Sequence, residues 1–377
     1  MTLAETKTAL AAEALALGFD LCRVAPAEIP PHRDEFRAWL AEKRHGEMEW
    51  LERNADRRTD PELVLPGVRS IIVLGMNYWQ HEARPKSESQ TEPGRRREAQ
   101  IRNPKFPAGR IARYAWGDDY HDVVEPKLRQ LDSWLRTHGG RQRHYVDTGP
   151  VLERDFAALA GIGWHGKSTM LIHPKLGTWL FLATILTTLE LPADEPMRDH
   201  CGKCTRCIAA CPTGAITAPH QLDARLCISY LTIENKGPIP EALRPLLGDR
   251  IYGCDDCLDA CPWNRFAQQS RETRFAAREF VGTPLRDFLA LDDEGFRRLF
   301  RGSPIKRIKR ARFLRNVCVA LGNVGTKEDL PALEQAALDP EPLIVEHARW
   351  AMREIERRVL GCRRREEAGI NSDEMSE

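Results

Sequence analysis

The sequence predicts three regions of different fold class along its 377 residues: a mixed helix and strand region over 1–191, a ferredoxin-like two-cluster region over 192–268, and an all-helical, HEAT-like region over 269–377. Three observations predict this division. Helical and strand patterns alternate in the first region, closely spaced cysteines fill the second, and two similar helical segments occur in the third. A chain of this length has room for several cores, because a domain usually takes about 100 to 200 residues.

The alternation in the first region indicates an α/β or α+β domain. Apolar residues recur at helical spacing over 6–17 and again from Val124 to Leu135. Short apolar runs predict buried strands over 70–75 and 177–189. The polar stretch over 81–107 lacks apolar periodicity, so we expect a solvated loop there.

Charge and hydropathy limit the possible environments of the chain. The 56 Lys and Arg residues nearly balance the 55 Asp and Glu residues, so a nucleic-acid site must be a local patch. The start of the chain carries no export signal, and the apolar run over 179–191 is shorter than the ~20 residues needed to cross a bilayer. We therefore expect a cytoplasmic protein without membrane contact, in which cysteines bind metal rather than form disulfides.

Eight of the eleven cysteines have the spacing of two 4Fe-4S clusters. A C-x2-C-x2-C-x3-C-P run begins at Cys201, a C-x2-C-x3-C-P run begins at Cys254, and Cys227 lies between them. In two-cluster ferredoxins the last cysteine of such a run binds the other cluster. We assign the ligands accordingly: Cys201, Cys204, Cys207 and Cys261 to the first cluster, and Cys211, Cys227, Cys254 and Cys257 to the second. The alternative is a pair of zinc knuckles.

The stretch from Gly161 to Ser168 matches the phosphate-loop pattern G-x4-G-K-[ST]. A phosphate loop follows a buried strand and begins a helix, whereas here a helical pattern precedes the motif and His173-Pro174 follows it. This context argues against nucleotide hydrolysis. The loop could instead bind another cofactor through its backbone amides.

The last region contains two similar helical segments, over 312–322 and 347–355, with Pro331 and Pro342 placed to begin further helices. A basic run without acidic residues lies between Arg301 and Arg315. This run predicts a patch that binds RNA phosphates. The alternative is a solvated helix face.

The eight-cysteine pattern, the segment from Val146 to Pro150 and the Gly161–Ser168 loop together resemble epoxyqueuosine reductases. The resemblance runs from the first helix through the helical tail. It implies reduction of epoxyqueuosine to queuosine at the tRNA wobble position, the last step of queuosine biosynthesis, with electrons passing through two 4Fe-4S clusters to cobalamin. It also implies a cobalamin domain similar to that of reductive dehalogenases and a tRNA-binding tail.

The resemblance also implies roles for individual residues. Asp147 would be the proton donor, held protonated by burial against the corrin; the alternative is that it only caps the turn at Gly149. The implied cobalamin contacts are Arg58, Asp147, His165, Gly166, Ser168, Ser229 and Asp255. The implied RNA contacts are Lys306, Arg307, Lys309 and Arg310.

The family binds cobalamin without a histidine ligand to cobalt, and the sequence agrees with this property. The histidine motif D-x-H-x-x-G is approached only at Asp119-Tyr-His121, where Val124 replaces the glycine.

Three other functions remain open at this level. The chain could be a dehalogenase-like cobalamin enzyme, an electron carrier, or a nucleic-acid-binding protein with structural clusters. For the reductase we expect a monomer that receives electrons from a flavodoxin- or ferredoxin-type donor.

Overall fold

The computed structural model describes residues 1–81 and 107–367, with side chains as far as residue 360. The predicted solvated loop therefore lies almost wholly outside the described residues. Within those residues, no helix combines the length and apolarity that a membrane crossing needs.

The first region is built on a four-stranded sheet in the order β1-β2-β7-β4. Its strands are β1 (Leu21–Pro26), β2 (Ser70–Asn77), β4 (Gln142–Tyr145) and β7 (Leu180–Thr187). All three pairings are antiparallel, so the region is α+β rather than α/β. Both predicted buried strands are confirmed. Their mutual pairing joins segments more than a hundred residues apart, which local patterns cannot indicate.

Helices cover both faces of this sheet. One face, carrying Ile72 and Leu74, packs with α1 (Leu3–Ala16) and α5 (Tyr120–Arg136). The opposite face, carrying Ile71 and Val73, packs with α6 (Glu153–Leu159). Short helices α2 (Arg33–Ala41), α3 (Glu49–Arg53) and α4 (Ala55–Arg58) connect β1 to β2. The alternation of side chains along a strand explains why one sheet supports two cores.

Most regular structure in the cysteine-rich region is short. It comprises α7 (Arg206–Ala209), β8 (Ile216–Ala218), β9 (Gln221–Leu222), α8 (Ile228–Ile233), β10 (Arg250–Tyr252) and α9 (Asp256–Asp259). β10 pairs in parallel with β3 (Arg110–Ile111). Two further strands, β5 (Trp164–His165) and β6 (Leu171–Ile172), form a hairpin that precedes this region. Short elements fit a segment that is held by bound metal rather than by its own core.

The last region is helical, as predicted. It contains α10 (Leu285–Phe288), α11 (Asp293–Leu299), α12 (Lys309–Val324), α13 (Leu330–Ala336) and α14 (Pro342–Glu367). Pro331 and Pro342 lie in the first turns of α13 and α14, where a missing backbone N–H costs nothing. The two similar segments lie in α12 and α14, which pack closely: a Cβ built on Gly322 would be 2.3 Å from the Trp350 ring.

The helical tail shares its core with the cysteine-rich region. One cluster of buried residues joins Leu231 and Tyr252 to Phe313 and Trp350. Arg315 is also fully buried there, and its guanidinium donates to the carbonyl oxygens of Leu231, Asn235 and Gly237. The tail therefore packs against and stabilises the segment that carries Cys227 and Cys254.

Candidate active site

Asp147 lies in the loop that follows β4, two residues beyond the end of the strand. Its backbone has φ 54°, in the left-handed region that non-glycine residues rarely adopt, and its side chain is 52% exposed. Such backbone conformations are concentrated at functional sites. The structure thus presents the Asp147 carboxylate at the edge of the sheet, where a substrate can reach it.

Two residues at the start of α5 contact the Asp147 carboxylate. The hydroxyl of Tyr120 donates a hydrogen bond to Oδ2, and Nε2 of His121 lies 3.9 Å from Oδ1. The other ring nitrogen of His121, Nδ1, lies 2.8 Å from Oδ1 of Asp119. Asp119, His121 and Asp147 therefore form a carboxylate–imidazole–carboxylate series.

The pKa values in this series differ from the sequence-based expectation. Desolvation would raise the pKa of Asp147, but His121 and Tyr120 stabilise the carboxylate, and the net result is a pKa below its usual value. For His121, desolvation lowers the pKa, but the two flanking carboxylates outweigh it and raise the pKa to about 9. At neutral pH the structure thus holds an ionised Asp147 beside a protonated His121, whereas we expected a protonated Asp147.

A second carboxyl group faces Asp147 from α6. Oε1 of Glu153 accepts a hydrogen bond of 3.0 Å from the backbone N–H of Asp147. Desolvation, followed by the charge of Asp147, raises the pKa of Glu153 to about 8. Arg58 lies close enough to Glu153 and Asp147 for the charges of both carboxyl groups to act on its pKa. Its Nε is buried without a hydrogen-bond partner among the described residues. An unsatisfied guanidinium N–H in this cleft fits a site that receives a polar ligand.

The predicted cofactor loop forms the β5–β6 hairpin. The backbone N–H of Gly166 donates to the carbonyl oxygen of Met170 at 2.8 Å, and a Cβ at Gly166 would be 2.5 Å from the end of the Ile172 side chain, which would have to shift. Ser168 is buried, and no helix follows it. The segment is therefore not a phosphate loop. Nζ of Lys167 instead contacts the carbonyl oxygen of Gly202 at 2.6 Å, which joins the hairpin to the first cysteine run.

His165 in this hairpin belongs to a group with His32 and Asp155. The two imidazole rings stack at 4.8 Å, and the buried Asp155 carboxylate lies 2.9 Å from Nδ1 of His32 and 3.3 Å from Nε2 of His165. Desolvation lowers the pKa of His165 to about 4, so its ring is neutral at physiological pH. These contacts fix the ring of His165, which we predicted as a cofactor contact.

The cysteine thiols are gathered into two groups. Burial raises the pKa of Cys261, and the further charge effects on this thiol come from Cys201, Cys207 and Cys204. Burial likewise raises the pKa of Cys257, and the charge effects there come from Cys254, Cys227 and, more weakly, Cys211. The members of these two groups are the same as those of the two predicted ligand sets. The ten cysteines whose side chains are described are all free thiols.

Four thiols that lie close enough to affect one another's pKa fit a cluster, since bound iron would compensate the charge of the thiolates. The second thiol group lies on the Asp147 side of the molecule. Arg154 is an exposed residue, but many protein atoms lie around its guanidinium. They partly exclude water from the charged group, and this desolvation lowers the pKa of Arg154. The charges that oppose this effect include those of Cys257 and Asp147.

Two predicted cofactor contacts, Ser229 and Asp255, lie beside the second thiol group. The backbone N–H of Ser229 faces the thiol of Cys227, and Asp255 directly follows Cys254. Oδ2 of Asp255 accepts from the backbone N–H of Arg113 at 2.6 Å. Burial raises the pKa of Asp255 to about 7. Asp255 is therefore held in place by the main chain and is not a simple surface turn residue.

The basic run of the last region is only partly available to RNA. Lys306 and Lys309 are exposed, and Lys309 has φ 62°. Arg310 instead forms an ion pair with Asp339, and Arg307 forms one with Glu234. Arg307 also lowers the pKa of Asp147 by its charge, so it faces the cleft. The sequence predicted all four cations as RNA contacts, but two of them form ion pairs with acidic residues that are distant in sequence.

An α+β domain that presents several polar side chains around Asp147, joined to a region with two groups of four thiols, is typical of a two-cluster iron–sulfur oxidoreductase. The family model described as "4Fe-4S double cluster binding domain" matches residues 200–264. The model described as "Epoxyqueuosine reductase QueG, DUF1730" matches residues 58–148.

Relatives extend this match over most of the chain. The epoxyqueuosine reductase of Escherichia coli (strain K12) is 40% identical over 348 residues, covering 91% of this chain and 88% of the relative. That of Xanthomonas campestris pv. campestris is 42% identical over 339 residues, covering 89% and 92%. The chain belongs to the epoxyqueuosine reductase family.

Solved structures agree with this assignment. A crystal structure of epoxyqueuosine reductase with an epoxyqueuosine-modified tRNA-Tyr stem loop has a TM-score of 0.84 at 31% identity, covering 94% of this chain and 91% of that chain. The structure of epoxyqueuosine reductase from Streptococcus thermophilus has a TM-score of 0.81 at 27% identity, covering 93% and 90%.

Sequence reasoning missed Tyr120, His121 and Glu153 as site residues. The segment Asp119-Tyr-His121 drew attention only as an incomplete cobalt-ligand motif. Glu153 gave no signal, because a glutamate at the start of a helix is ordinary. Only the return of the chain through β4 brings these residues to Asp147.

Proposed function

We propose that this chain reduces epoxyqueuosine to queuosine in tRNA. The observation that carries the proposal is the partly exposed Asp147 carboxyl group, whose charge acts on the same side chain, Arg154, as that of Cys257 in the second thiol group. Family membership supports the substrate, and a relative crystallised with an epoxyqueuosine-modified stem loop supports tRNA as its carrier. An electron carrier has no need of such an acid, and a dehalogenase-like enzyme has no need of an RNA-binding surface.

The chemistry requires two electrons and two protons for each epoxide. The epoxide oxygen leaves as water, and the two ring carbons become an alkene. Clusters held by the two cysteine groups would supply the electrons, and cobalamin, when bound, would supply the low-potential chemistry of the reduction. The side chains of this protein must deliver the protons and hold the substrate.

Asp147 is the proposed proton donor to the epoxide oxygen. Its exposed carboxyl lies at the edge of the cleft, and its position is fixed by Tyr120 and by the contact of its own N–H with Glu153. A general acid must lie within hydrogen-bond reach of the oxygen that it protonates. The left-handed backbone of Asp147 supports this role, because it turns the side chain away from the strand.

The proposed cobalamin contacts belong to three parts of the chain, and each has a feature that supports the proposal. Arg58 presents its unsatisfied Nε, and the hairpin with His165, Gly166 and Ser168 adjoins the first cysteine run. Ser229 and Asp255 flank the second thiol group. Cobalamin held by these residues would supply the low-potential chemistry of the reduction.

Lys306 and Lys309 are the proposed phosphate contacts for tRNA. Both are exposed, and Arg307 beside them faces the cleft, so RNA bound here would bring its wobble base towards Asp147. Removing one cation that binds a phosphate should reduce the slope of log affinity against log salt by about 1. Lys306→Ala with Lys309→Ala should therefore flatten the salt dependence and leave the cluster spectra unchanged. Arg310→Ala is a poor probe, because its ion pair with Asp339 is structural.

Direct assay of the holoenzyme tests the function. The chain is reconstituted anaerobically with iron, sulfide and cobalamin, given epoxyqueuosine-containing tRNA and a chemical reductant, and the digested nucleosides are analysed by mass spectrometry. We expect epoxyqueuosine to be converted to queuosine. Unchanged epoxyqueuosine, in a protein whose spectra show both clusters and cobalamin, would contradict the proposal.

A further inference from the structure

The proton demand of the reaction exceeds what Asp147 supplies by itself. Each epoxide consumes two protons, and a carboxylic acid carries one. Moreover, Asp147 is surrounded by groups that favour its ionised form. A neighbouring group must therefore protonate Asp147 within each turnover.

We propose that His121, held by Asp119, is the proton relay that recharges Asp147 from solvent. This inference rests on the proposed function. Nε2 of His121 faces Oδ1 of Asp147 at 3.9 Å, and Nδ1 contacts Oδ1 of Asp119 at 2.8 Å. Since the ring nitrogen bound to a carboxylate keeps its proton, Nε2 is the atom that gives and receives the transferred proton.

The transfer balances without another reactant. His121 Nε2–H passes a proton to Asp147 Oδ1, and Asp147 passes its proton to the oxygen that leaves the substrate. His121 then takes a proton from water, which its 32% exposed side chain can reach. Two such cycles supply the two protons of one turnover. The separation of 3.9 Å is longer than a hydrogen bond, as is common in catalytic pairs before substrate binds.

Charged and titratable groups face His121 from three elements. Asp119 and Tyr120 lie beside it in α5 and its cap, Asp147 approaches from the loop after β4, and Arg307 approaches from the segment before α12. The two carboxylates favour the imidazolium form of His121, and the Arg307 cation opposes it. The carboxylates dominate, since the pKa of His121 is raised to about 9.

Other neighbours are less suited to this role. Desolvation raises the pKa of Tyr120 far above its usual value, so its hydroxyl does not release a proton in the physiological range. Glu153 contacts Asp147 through the backbone N–H rather than through the reacting carboxyl oxygen. His121 is the neighbour that has one ring nitrogen towards the Asp147 carboxylate and an exposed edge towards water.

The test measures kcat/KM against pH, a quantity that reports groups of the free enzyme. The wild-type profile should fall as pH rises through about 9, where His121 loses its proton. His121→Gln should lower kcat/KM by about 10²-fold, the lower end of the rate contribution that a positioned proton donor makes. It should also remove the fall of kcat/KM at high pH, the alkaline limb of the profile. Added imidazole should restore part of the rate. Asp119→Asn keeps the helix cap but should move the limb to lower pH.

Two control variants separate the relay from general damage. His144→Gln removes a nearby imidazole that pairs with Glu125 at 3.3 Å, and it should leave the profile unchanged. Glu153→Gln removes the competing acid, and a loss of the alkaline limb in this variant alone would overturn the proposal. A normal profile and rate in His121→Gln would do the same. A wild-type holoenzyme without turnover would instead refute the proposed function itself.

Discussion

The two groups of thiols have the same ligand chemistry but different surroundings. In the first group, the loop around Cys201, Cys204 and Cys207 is largely exposed. Among the described residues, neither these three thiols nor Cys261 packs against the main cores. In the second group, Cys227 and Cys254 pack against the core of the helical tail, and Cys257 packs against the core under the sheet. From this difference we predict that electrons would enter at the first group, which is reached through an exposed loop, and leave from the second group, which packs against both cores.

The largest expected effect comes from removing one thiol of each group. Cys257→Ala should lose the second cluster and all turnover with any reductant, because the last step to the cleft is broken. Cys204→Ala should lose the first cluster and the reaction with a protein donor, yet retain turnover with a small reductant that reaches the second cluster. Electron paramagnetic resonance of the reduced proteins and nucleoside analysis measure both effects.

Cys261→Ala sharpens this comparison, because Cys261 is close to Cys257 in sequence but contacts the first group. It should behave like Cys204→Ala. Loss of the second cluster in this variant would overturn the crossed ligand assignment. Zinc in place of iron and sulfide would refute both clusters at once.

Asp147→Asn should have the next largest effect. The amide fills the same space but is a poor acid, so turnover should fall by about 10² to 10⁴-fold while both clusters and cobalamin remain bound. Cluster and corrin spectra recorded with the rate distinguish loss of the acid from loss of a cofactor. Near-normal activity would leave Asp147 with only a role in the turn.

The packing of the helical tail should affect the two clusters unequally. In Gly322→Ala the new methyl group would meet the Trp350 ring, and overpacking of this kind costs about 1 to 3 kcal/mol. Because the second thiol group shares this core, its absorption should disappear first on heating. Gly237→Ala is the matched control, since its Cβ would have no neighbour within 4 Å. Simultaneous loss of both clusters would show that their surroundings are not independent.

The smallest effect is expected at the exposed group. Lys203 and Arg206 lie between the cysteines of the first run and are exposed. Reversing both charges should slow electron delivery from an acidic protein donor several-fold at low salt, and the difference should vanish at high salt. Turnover with a small neutral reductant serves as the control. A salt-independent change would point to damage of the first cluster instead.

The sequence by itself determined the elements whose cause is local. Periodicity predicted β2, β7, α5 and the helical tail, and cysteine spacing predicted two crossed ligand sets that the structure gathers in space. Family resemblance supplied the reaction, and the relatives confirm the family. Cysteine spacing predicts the ligands because a cluster needs its ligands at fixed short distances, and short loops between cysteines provide those distances.

Tertiary structure decided whatever depends on partners distant in sequence. It made the sheet antiparallel by pairing β2 with β7, and it turned Arg310 and Arg315 inward to partners that a charge run does not reveal. It also placed His121 beside Asp147, which reversed the expected protonation of the acid. A pKa depends on the burial and charges within a few ångströms, and only the folded chain brings those charges together.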